Sequence, residues 1–285
     1  MVNTTTVKNT AITISIVCYQ SPMSLLKQVI DQLTQAVKYA NQHGAITQAR
    51  LLLVNNGVDK QYTKQLNKLA HSIQLPCMND NAVISGHGNI GYGCGHNLAI
   101  RHNRFNYHLI LNPDVLLAED SLCKGLAFLN RHPDVALLAP AAVNDIGNKQ
   151  YLCKRFPTVL DLALRGLAPA WLQKHFQRRL ERYELRDLIQ DDKQIVWDIP
   201  IISGCFMLFR TSVLAQLGGF SPRYFMYFED FDLSLRVADI ARIVYVPSVR
   251  IVHFGGNTVA KGWRHIILFT RSGITFFNQH GWKWL

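Results

Sequence analysis

The chain has 285 residues, 48% of them hydrophobic and 17% charged, with 30 Lys+Arg against 19 Asp+Glu for a net charge of +11; this is ample for a buried core and unlike disordered, collagenous or repeat proteins. Its longest apolar run, Ile201–Phe209, contains Ser203 and Gly204 and falls short of the roughly 18 residues of a membrane-spanning helix, and the opening MVNTTTVKNT has no apolar stretch of the kind a secretory signal needs. Six scattered cysteines without a CxxC pair argue for reduced thiols in a cytoplasmic protein rather than a disulfide framework or a zinc site.

Ile12–Cys18 is an apolar, β-branched run that predicts a buried strand, and Ser21-Pro22 then starts a helix carrying Leu25, Leu26, Val29, Ile30, Leu33, Ala36 and Val37 at helical spacing. Leu51–Val54 predicts a second strand ending in the turn Asn55-Asn56-Gly57. Tyr62, Leu66, Leu69 and Ile73 mark another helix, and His108–Leu111 a further strand ending at Asn112-Pro113-Asp114. This alternation predicts an α/β fold with a parallel sheet, in which ligands sit beyond the carboxyl ends of the strands. The polar turns at Tyr19-Gln20, Asn55-Asn56 and Asn112–Asp114 all fall at that edge.

Residues 154–193 read as basic, polar and helical; Lys154, Arg155, Arg165, Lys174, Arg178, Arg179 and Arg182 stand against Asp161 and Glu181 within 154–182. A patch of this kind suits a phosphorylated substrate or an anionic lipid surface. With no helix-turn-helix, zinc-finger or RNP-type signature, nucleic acid is not an expected partner. Trp197–Phe209 predicts a strand, Leu214–Phe220 a short helix and Gly-Gly turn, the acidic segment from Glu229 a helix running through Val237, and Ile243–Val246 and Val249–Val252 two more strands. One compact domain with two functional halves is expected.

Gly86-His87-Gly88-Asn89-Ile90-Gly91 is a literal G-x-G-x-x-G, but two strand–helix units precede it and Gly93 and Gly95 continue the series up to a helix expected at Asn97–His102, so it is not the dinucleotide fingerprint. Five glycines in ten residues, with Asn89 and Asn97, predict close backbone approach to a phosphate or ribose. Asp114, just past a strand, is placed to meet a hard cation bridging a diphosphate. Glu229, Asp230 and Asp232 lie among Tyr224, Phe225, Tyr227, Phe228 and Phe231, where desolvation can raise a carboxyl toward general-base work, while Asp232 has Arg236 as an i,i+4 partner. His253, with Asp114 as partner, is a candidate for a metal or a leaving-group phosphate.

The segments SIVCYQS at 15–21, LLLVNNG at 51–57, NIGYGCGHNLAI at 89–100, LILNPDV at 109–115, SGCFMLFR at 203–210, LGGFSPRYFMYFEDFDLSLR at 217–236 and VHFGG at 252–256, taken in this order, resemble the family-two glycosyltransferases with the GT-A fold over nearly the whole chain. The Asn-Pro-Asp motif and the acidic helix look closest to rhamnosyltransferases that build bacterial surface polysaccharides.

The resemblance implies a Rossmann-like, mostly parallel sheet flanked by helices, with residues 1–115 as the nucleotide-sugar half and 116–285 as the acceptor-binding and catalytic half. It implies that Tyr19 and Asn55 or Asn56 flank the nucleobase, that Asn89, Gly91, Asn97 and Asn112 line the nucleotide sugar, and that Asp114, with His253 in support, meets a Mg²⁺ or Mn²⁺. Asp230 becomes the base, with Glu229 and Asp232 as supporting groups. Many relatives have Asp where this chain has Asn55, and a full D-x-D where it has Asn112-Pro113-Asp114, so His253 or the substrate diphosphate has to complete the coordination.

The implied reaction is inverting transfer of a sugar, best assigned as L-rhamnose from dTDP-rhamnose, from a nucleoside-diphosphate donor to a saccharide acceptor, lipid-diphosphate-linked in one form of the reading. A UDP-hexose or UDP-HexNAc donor is the alternative within the fold, and a non-catalytic polysaccharide-binding scaffold the alternative outside enzymes. The basic patch and the tail Trp263, Arg264, Phe269, Arg271, Phe276, Phe277, Trp282, Lys283, Trp284 suit an anionic membrane surface, on the cytoplasmic face of the inner membrane. A terminal helix packed on the core explains the same tail.

Overall fold

The computed structural model of the protein describes residues 10–78, 80–166, 168–190, 193–255 and 263–285. The reading of the first nine residues and that of Gly256 in VHFGG lie outside them.

Strand β1 (Ala11–Cys18) is buried along its whole length, as a continuous apolar run must be when helices cover both faces of a sheet. Helix α1 (Met23–Gln42) follows, with Pro22 rather than Ser21 at its N-cap and no side-chain capping bond. Then come β2 (Gln48–Asn55), α2 (Lys60–His71), β3 (Ala82–Ile84), α3 (Tyr92–Arg101), β4 (Tyr107–Leu111), β5 (Val115–Leu117), α4 (Ser121–Arg131) and β6 (Val135–Val143). The second half holds β7 (Lys149–Gln150), β8 (Cys153–Lys154), α5 (Val159–Gly166), α6 (Ala170–His175), α7 (Gln177–Tyr183), β9 (Val196–Trp197), β10 (Ile201–Ile202), β11 (Phe206–Arg210), α8 (Thr211–Gln216), α9 (Glu229–Ala238), β12 (Arg242–His253) and α10 (Trp263–His280).

The main sheet has the order β3-β2-β1-β4-β11-β6-β12-β5, with β7 beside β6 and β9 beside β12. It is parallel from β3 to β4. Strand β11 runs antiparallel between β4 and β6, β12 is parallel to β6, and β5 closes the edge antiparallel to β12. One face packs on α1, α2 and α4 through Leu26, Leu33, Leu66 and Leu126. The other packs on α3 through Ala99 and on α9 through Leu233 and Val237.

Pairing of Cys18 with Asn55 and of Ile16 with Leu111 brings the ends of β1, β2 and β4 to one edge, where the expected polar turns lie. Pairing of Val115 with His253 sets the end of β12 beside Asp114.

Three local expectations are corrected. Helix α3 begins at Tyr92, not Asn97. The Trp197–Phe209 stretch is broken into three short strands, of which β10 pairs with β8 in a separate ribbon. The two strands expected over 243–252 are one, β12, with a register shift between Val246 and Arg250 where Pro247 interrupts the ladder. Helix α4 and strand β6 have no predicted counterpart.

Beneath α3 the apolar core carries a polar triad. Ser15 Oγ lies 2.8 Å from His96 Nδ1 and 2.8 Å from His108 Nε2, and all three residues are fully buried. Burial holds both imidazoles neutral, His96 well below the ordinary histidine range and His108 down to about 3. The unfolded chain takes up protons at these histidines below about pH 6.5 and the folded chain does not, so their contribution to stability is complete above that pH and lost as pH falls. Between about pH 7 and 5 the unfolding free energy of His108→Asn should fall less steeply than that of wild type, by up to about 1.4 kcal/mol per pH unit. Equal slopes in urea unfolding at a series of pH values would exclude this.

Candidate active site

Two groups of polar side chains meet at the carboxyl edge of the sheet. The first is built on the β4–β5 turn and the end of β12. Asn112 N donates to Cys205 O at 2.9 Å and Phe254 N to Asp114 O at 3.0 Å, which fixes the turn against its neighbours. Asp114 Oδ1 stands 3.7 Å from His253 Nε2. On the far side of that ring, Nδ1 lies 2.9 Å from Gln150 Oε1, and Gln150 Nε2 donates to the carbonyls of His253 and Gly255. Gln150 therefore sets the ring's orientation with Nε2 toward Asp114, an arrangement common among metal-ligating histidines.

Buried Oδ1 atoms of Asn112 and Asp114 find no protein partner. A side chain at Gly255 would put its Cβ 2.6 Å from Asp114 Oδ2 and 2.8 Å from His253 Nε2, so glycine keeps this concavity open. A carboxylate, an imidazole and an amide oxygen fit a hard divalent cation. Among the described residues no group of three or more His, Cys, Asp and Glu could hold a metal by itself.

The second group sits at the start of α9. Tyr227 and Phe228 both have left-handed backbone, with φ of 71° and 65°, a costly conformation for aromatic residues. They are held by aromatic packing of Phe228 on Phe231, Phe269 and Phe276, by Tyr227 Oη at 2.7 Å from His265 Nδ1, and by the bond of Ser272 Oγ to Met226 O. This turn delivers three carboxylates into three environments. Asp230 Oδ2 accepts from Gly204 N at 2.8 Å and Oδ1 from Phe231 N at 3.0 Å; burial pushes its carboxyl above the usual range, and these amides pull it part of the way back. Glu229 is buried, its Oε2 has no protein partner, and burial together with the charge of Asp230 pushes it up.

Asp232 is fully buried and its oxygens are taken, by Arg236 on its own helix and by Gln279 and His280 of α10. It ties α9 to α10. With both oxygens engaged, it has none left to face a ligand.

Tyr92 links the two groups. Its hydroxyl donates to Gly204 O at 2.6 Å, so the same glycine is bonded on one side to Tyr92 and on the other to Asp230. Burial raises the phenol, and the charges of Cys205, Glu229, Asp230 and Asp114 add to the effect. The carboxylates of α9 and of the β4–β5 turn thus both act on one ring. Tyr92, Gly204 and Gln150 were missed in the sequence reading; the only signals were a tyrosine directly after Gly91 and a Ser-Gly pair before a strand.

The remaining candidates divide. Tyr19 is 56% exposed at the end of β1, open to stack on a ring. Buried Asn56 donates to Gly91 O and keeps Oδ1 without a protein partner. Asn55 is buried and closed on itself, accepting from Gly57 N and donating to Thr63 Oγ1. Asn89 is exposed, its Oδ1 accepting from Gly91 N. Asn97 is spent on a clip, bonded both ways to the backbone of Phe220.

The glycine surplus has a protein explanation. A Cβ would fall 2.2 Å from Phe225 O at Gly91, 2.8 Å from the Phe220 side chain at Gly93 and 3.0 Å from Val17 at Gly95. Of the five glycines over 86–95, only Gly86 and Gly88 stand in open space.

Much of the basic segment is neutralised locally. Arg155 pairs with Asp187, Arg179 with Asp161, and Lys154, Arg165 and Arg186 with Glu184. Burial and nearby Arg165 pull the Lys154 ammonium down to about 7 against the attraction of Glu184. The tail splits: Phe276 and Phe277 are buried with Phe269 packed beside them, whereas Trp263, Trp282 and Trp284 are exposed. No helix among the described residues is long and apolar enough to cross a membrane.

No protein-family model matches the chain. In sequence it is 28% identical over 180 residues to the N-acetylglucosaminyl-diphospho-decaprenol L-rhamnosyltransferase of Mycobacterium tuberculosis (strain ATCC 25618 / H37Rv), covering 62% of this chain and 56% of that protein. It is 26% identical over 227 residues to rhamnosyltransferase WbbL of Escherichia coli K12, covering 74% of this chain and 80% of that one. The chain thus spans little more than half the length of its mycobacterial relative.

In structure it resembles the mannosyltransferase PcManGT of Pyrobaculum calidifontis in complex with GDP-Man and Mn²⁺, with TM-score 0.60 and 16% identity over 93% of this chain and 64% of that one. It also resembles S. aureus TarS in complex with UDP-GlcNAc, with TM-score 0.55 and 13% identity over 94% of this chain and 67% of that one. The fold is that of the GT-A glycosyltransferases, and the sequence is similar to rhamnosyltransferases.

The glycine packing is directly testable. Gly91→Ala should lower the urea midpoint by the equivalent of at least about 1 kcal/mol more than Gly86→Ala, since both positions need positive φ but only Gly91 meets backbone. Equal losses would mean that the contact with Phe225 does not matter.

Proposed function

We propose that this chain, a GT-A-fold protein similar in sequence to bacterial rhamnosyltransferases, is an inverting glycosyltransferase. It moves a sugar, best assigned as L-rhamnose from dTDP-rhamnose, to a saccharide acceptor carried on a lipid diphosphate during surface-polysaccharide synthesis. The observation that carries this reading is the approach of His253 to Asp114 at the strand edge, together with the bond of Asp230 to the amide of Gly204, the glycine whose carbonyl Tyr92 holds. One group suits a diphosphate with its counter-ion, the other a proton acceptor.

On this reading residues 1–115 hold the nucleotide sugar, with Tyr19 open to the base and Asn56 beside it, and residues 116–285 hold the acceptor. Asp114 and His253, aided by Asn112, would hold Mg²⁺ or Mn²⁺, which when bound neutralises charge on the departing nucleoside diphosphate. Asp230 takes the proton from the acceptor hydroxyl while that oxygen bonds to the anomeric carbon and the bond to the diphosphate breaks. The amides of Gly204 and Phe231 keep Asp230 oriented and ionised. Glu229, driven further toward its protonated form, hydrogen-bonds the acceptor without competing for its proton.

Asp230→Asn should lower transfer by about 10²-fold or more with donor affinity nearly unchanged, measured with a radiolabelled nucleotide sugar. Near-normal turnover in that variant would remove Asp230 as the base. Because burial raises the Asp230 carboxyl, the rate should already fall with decreasing pH above the ordinary aspartate value of about 4, and an acid limb at or below that value would count against the assignment. Chelator should abolish transfer in a metal-stripped preparation, with recovery on adding Mg²⁺ or Mn²⁺; full activity in chelator rules out the proposed role of Asp114.

A further inference from the structure

Helix α10 has two faces of different character. The inward face packs Phe276 and Phe277 into an aromatic cluster with Phe156 and Phe228 and holds the segment 226–232 by bonds from Ser272, His265, Gln279 and His280. The outward face is exposed, and apolar residues dominate it beside Thr270 and Asn278. Trp263, Ile266, Ile267 and Ile274 are exposed by 66, 55, 53 and 47%.

At about 100° per residue, Trp263, Ile267 and Ile274 project within roughly 40° of one another, with Ile266 on one flank and Arg264 and Arg271 on the other. The surface continues past the helix: Trp282 stacks on Phe277 and Trp284 on Trp282, both tryptophans are exposed, and backbone bonds from Val159 and Leu160 to the carbonyls of Lys283 and Trp284 pin this tail to the start of α5. After Asp239 the sequence contains no acidic residue, while Arg242, Arg250, Lys261, Arg264, Arg271 and Lys283 are all basic.

We infer that the outward ridge of α10 and the adjoining Trp282–Leu285 tail form a docking surface for an anionic lipid bilayer, on which α10 lies in the plane of the headgroups. Charge complementarity selects this occupant: an apolar ridge containing tryptophan, edged by arginine and without an acidic side chain, matches an interface that is apolar below and negative above.

The inference rests on the proposed lipid-linked acceptor for its purpose and adds geometry to it. Since the inward face of α10 grips the turn that carries Glu229 and Asp230, seating the helix on a membrane sets the candidate base about one helix diameter, ~10–12 Å, above the headgroups. That height suits an acceptor whose sugar stands directly on its lipid diphosphate rather than one at the end of a long chain.

The test is sedimentation of the full chain with vesicles, with neither donor nor acceptor present. Wild type should bind phosphatidylcholine vesicles containing phosphatidylglycerol, bind pure phosphatidylcholine at least tenfold more weakly, and lose binding as salt rises. The double variant Ile267→Asp/Ile274→Asp should lose at least tenfold in binding, whereas Ile146→Asp, at a position 75% exposed between β6 and β7, should bind as wild type does. Thermal unfolding and transfer to a soluble acceptor analogue should be the same for all three proteins, which separates a lost surface from a lost fold.

Wild-type binding by the ridge variant overturns the inference, as does failure of wild type to prefer anionic vesicles. A wild-type dimer that the ridge substitutions convert to monomer also overturns it, by assigning the face to a second copy of the chain. Because vesicle binding is read without sugar transfer, a chain that binds but transfers nothing refutes the proposed activity and leaves the surface standing, and the converse result does the opposite.

Discussion

The arrangement of the second half depends on one buried ion pair. Asp232 is completely out of solvent, a position that costs several kcal/mol for a carboxylate unless charge and hydrogen bonds are returned to it. Arg236 returns the charge, its Nε donating to Asp232 at 2.9 Å, while Nη1 and Nη2 also donate to the carbonyls of Leu217 and Gly219. The second oxygen of Asp232 accepts from Gln279 and approaches His280. A single carboxylate therefore joins the start of α9, the Gly218-Gly219 turn and the end of α10. Phe220, next along the chain, is clipped to Asn97 and lies against Gly93, so the same junction passes to α3 and hence to the parallel half of the sheet.

That junction is what allows strain at the site to persist. Two consecutive aromatic residues with left-handed backbone, Tyr227 and Phe228, would relax if the turn were free. The clamp is α10: its Phe269 and Phe276 enclose Phe228. The C-terminal helix thus supports the candidate base from behind. Its inner face is aromatic because it must hold a strained turn, and this requirement does not account for its outer face.

Much of the fold could be read from residue pattern, and the reasons for success and failure are physical. Strands β1, β2 and β4 are largely apolar because both of their faces are covered, and runs of that kind are visible without a structure. The helical spacing of α1 and α2 was equally plain. Failures came where tertiary contacts overrode local signals. Gly93 and Gly95 look like helix breakers, yet α3 runs through them because Phe220 and Val17 occupy the space a side chain would need. Residues 197–209 look like one strand, but the chain crosses from β9 at one edge through the β8–β10 ribbon to β11 at the sheet centre.

The site divides in the same way. Asp114 and the carboxylates of α9 announce themselves by position and by aromatic company, whereas Gly204 and Gln150 act through a backbone amide and an orienting amide side chain, which leave no chemical mark in a sequence.

The three acids of Glu-Asp-Phe-Asp show how far such a reading reaches. They lie within a single turn of helix, so propensity and the helix dipole treat them alike. What separates them is the surroundings that distant segments supply. Arg236 was visible at i+4, but Gln279 and His280, which complete the engagement of Asp232, come from nearly fifty residues away. Asp230 owes its orientation to the amide of Gly204 on a different strand connection. Glu229 is distinguished by having no protein partner for one buried oxygen, a property that no local pattern can encode. A carboxylate that is paired, one that is held by two amides, and one that is desolvated and unmatched differ for reasons external to the helix. The chemistry of the cluster is consequently a product of the packing of α9 against α10 and the sheet, and only its location is a product of the local sequence.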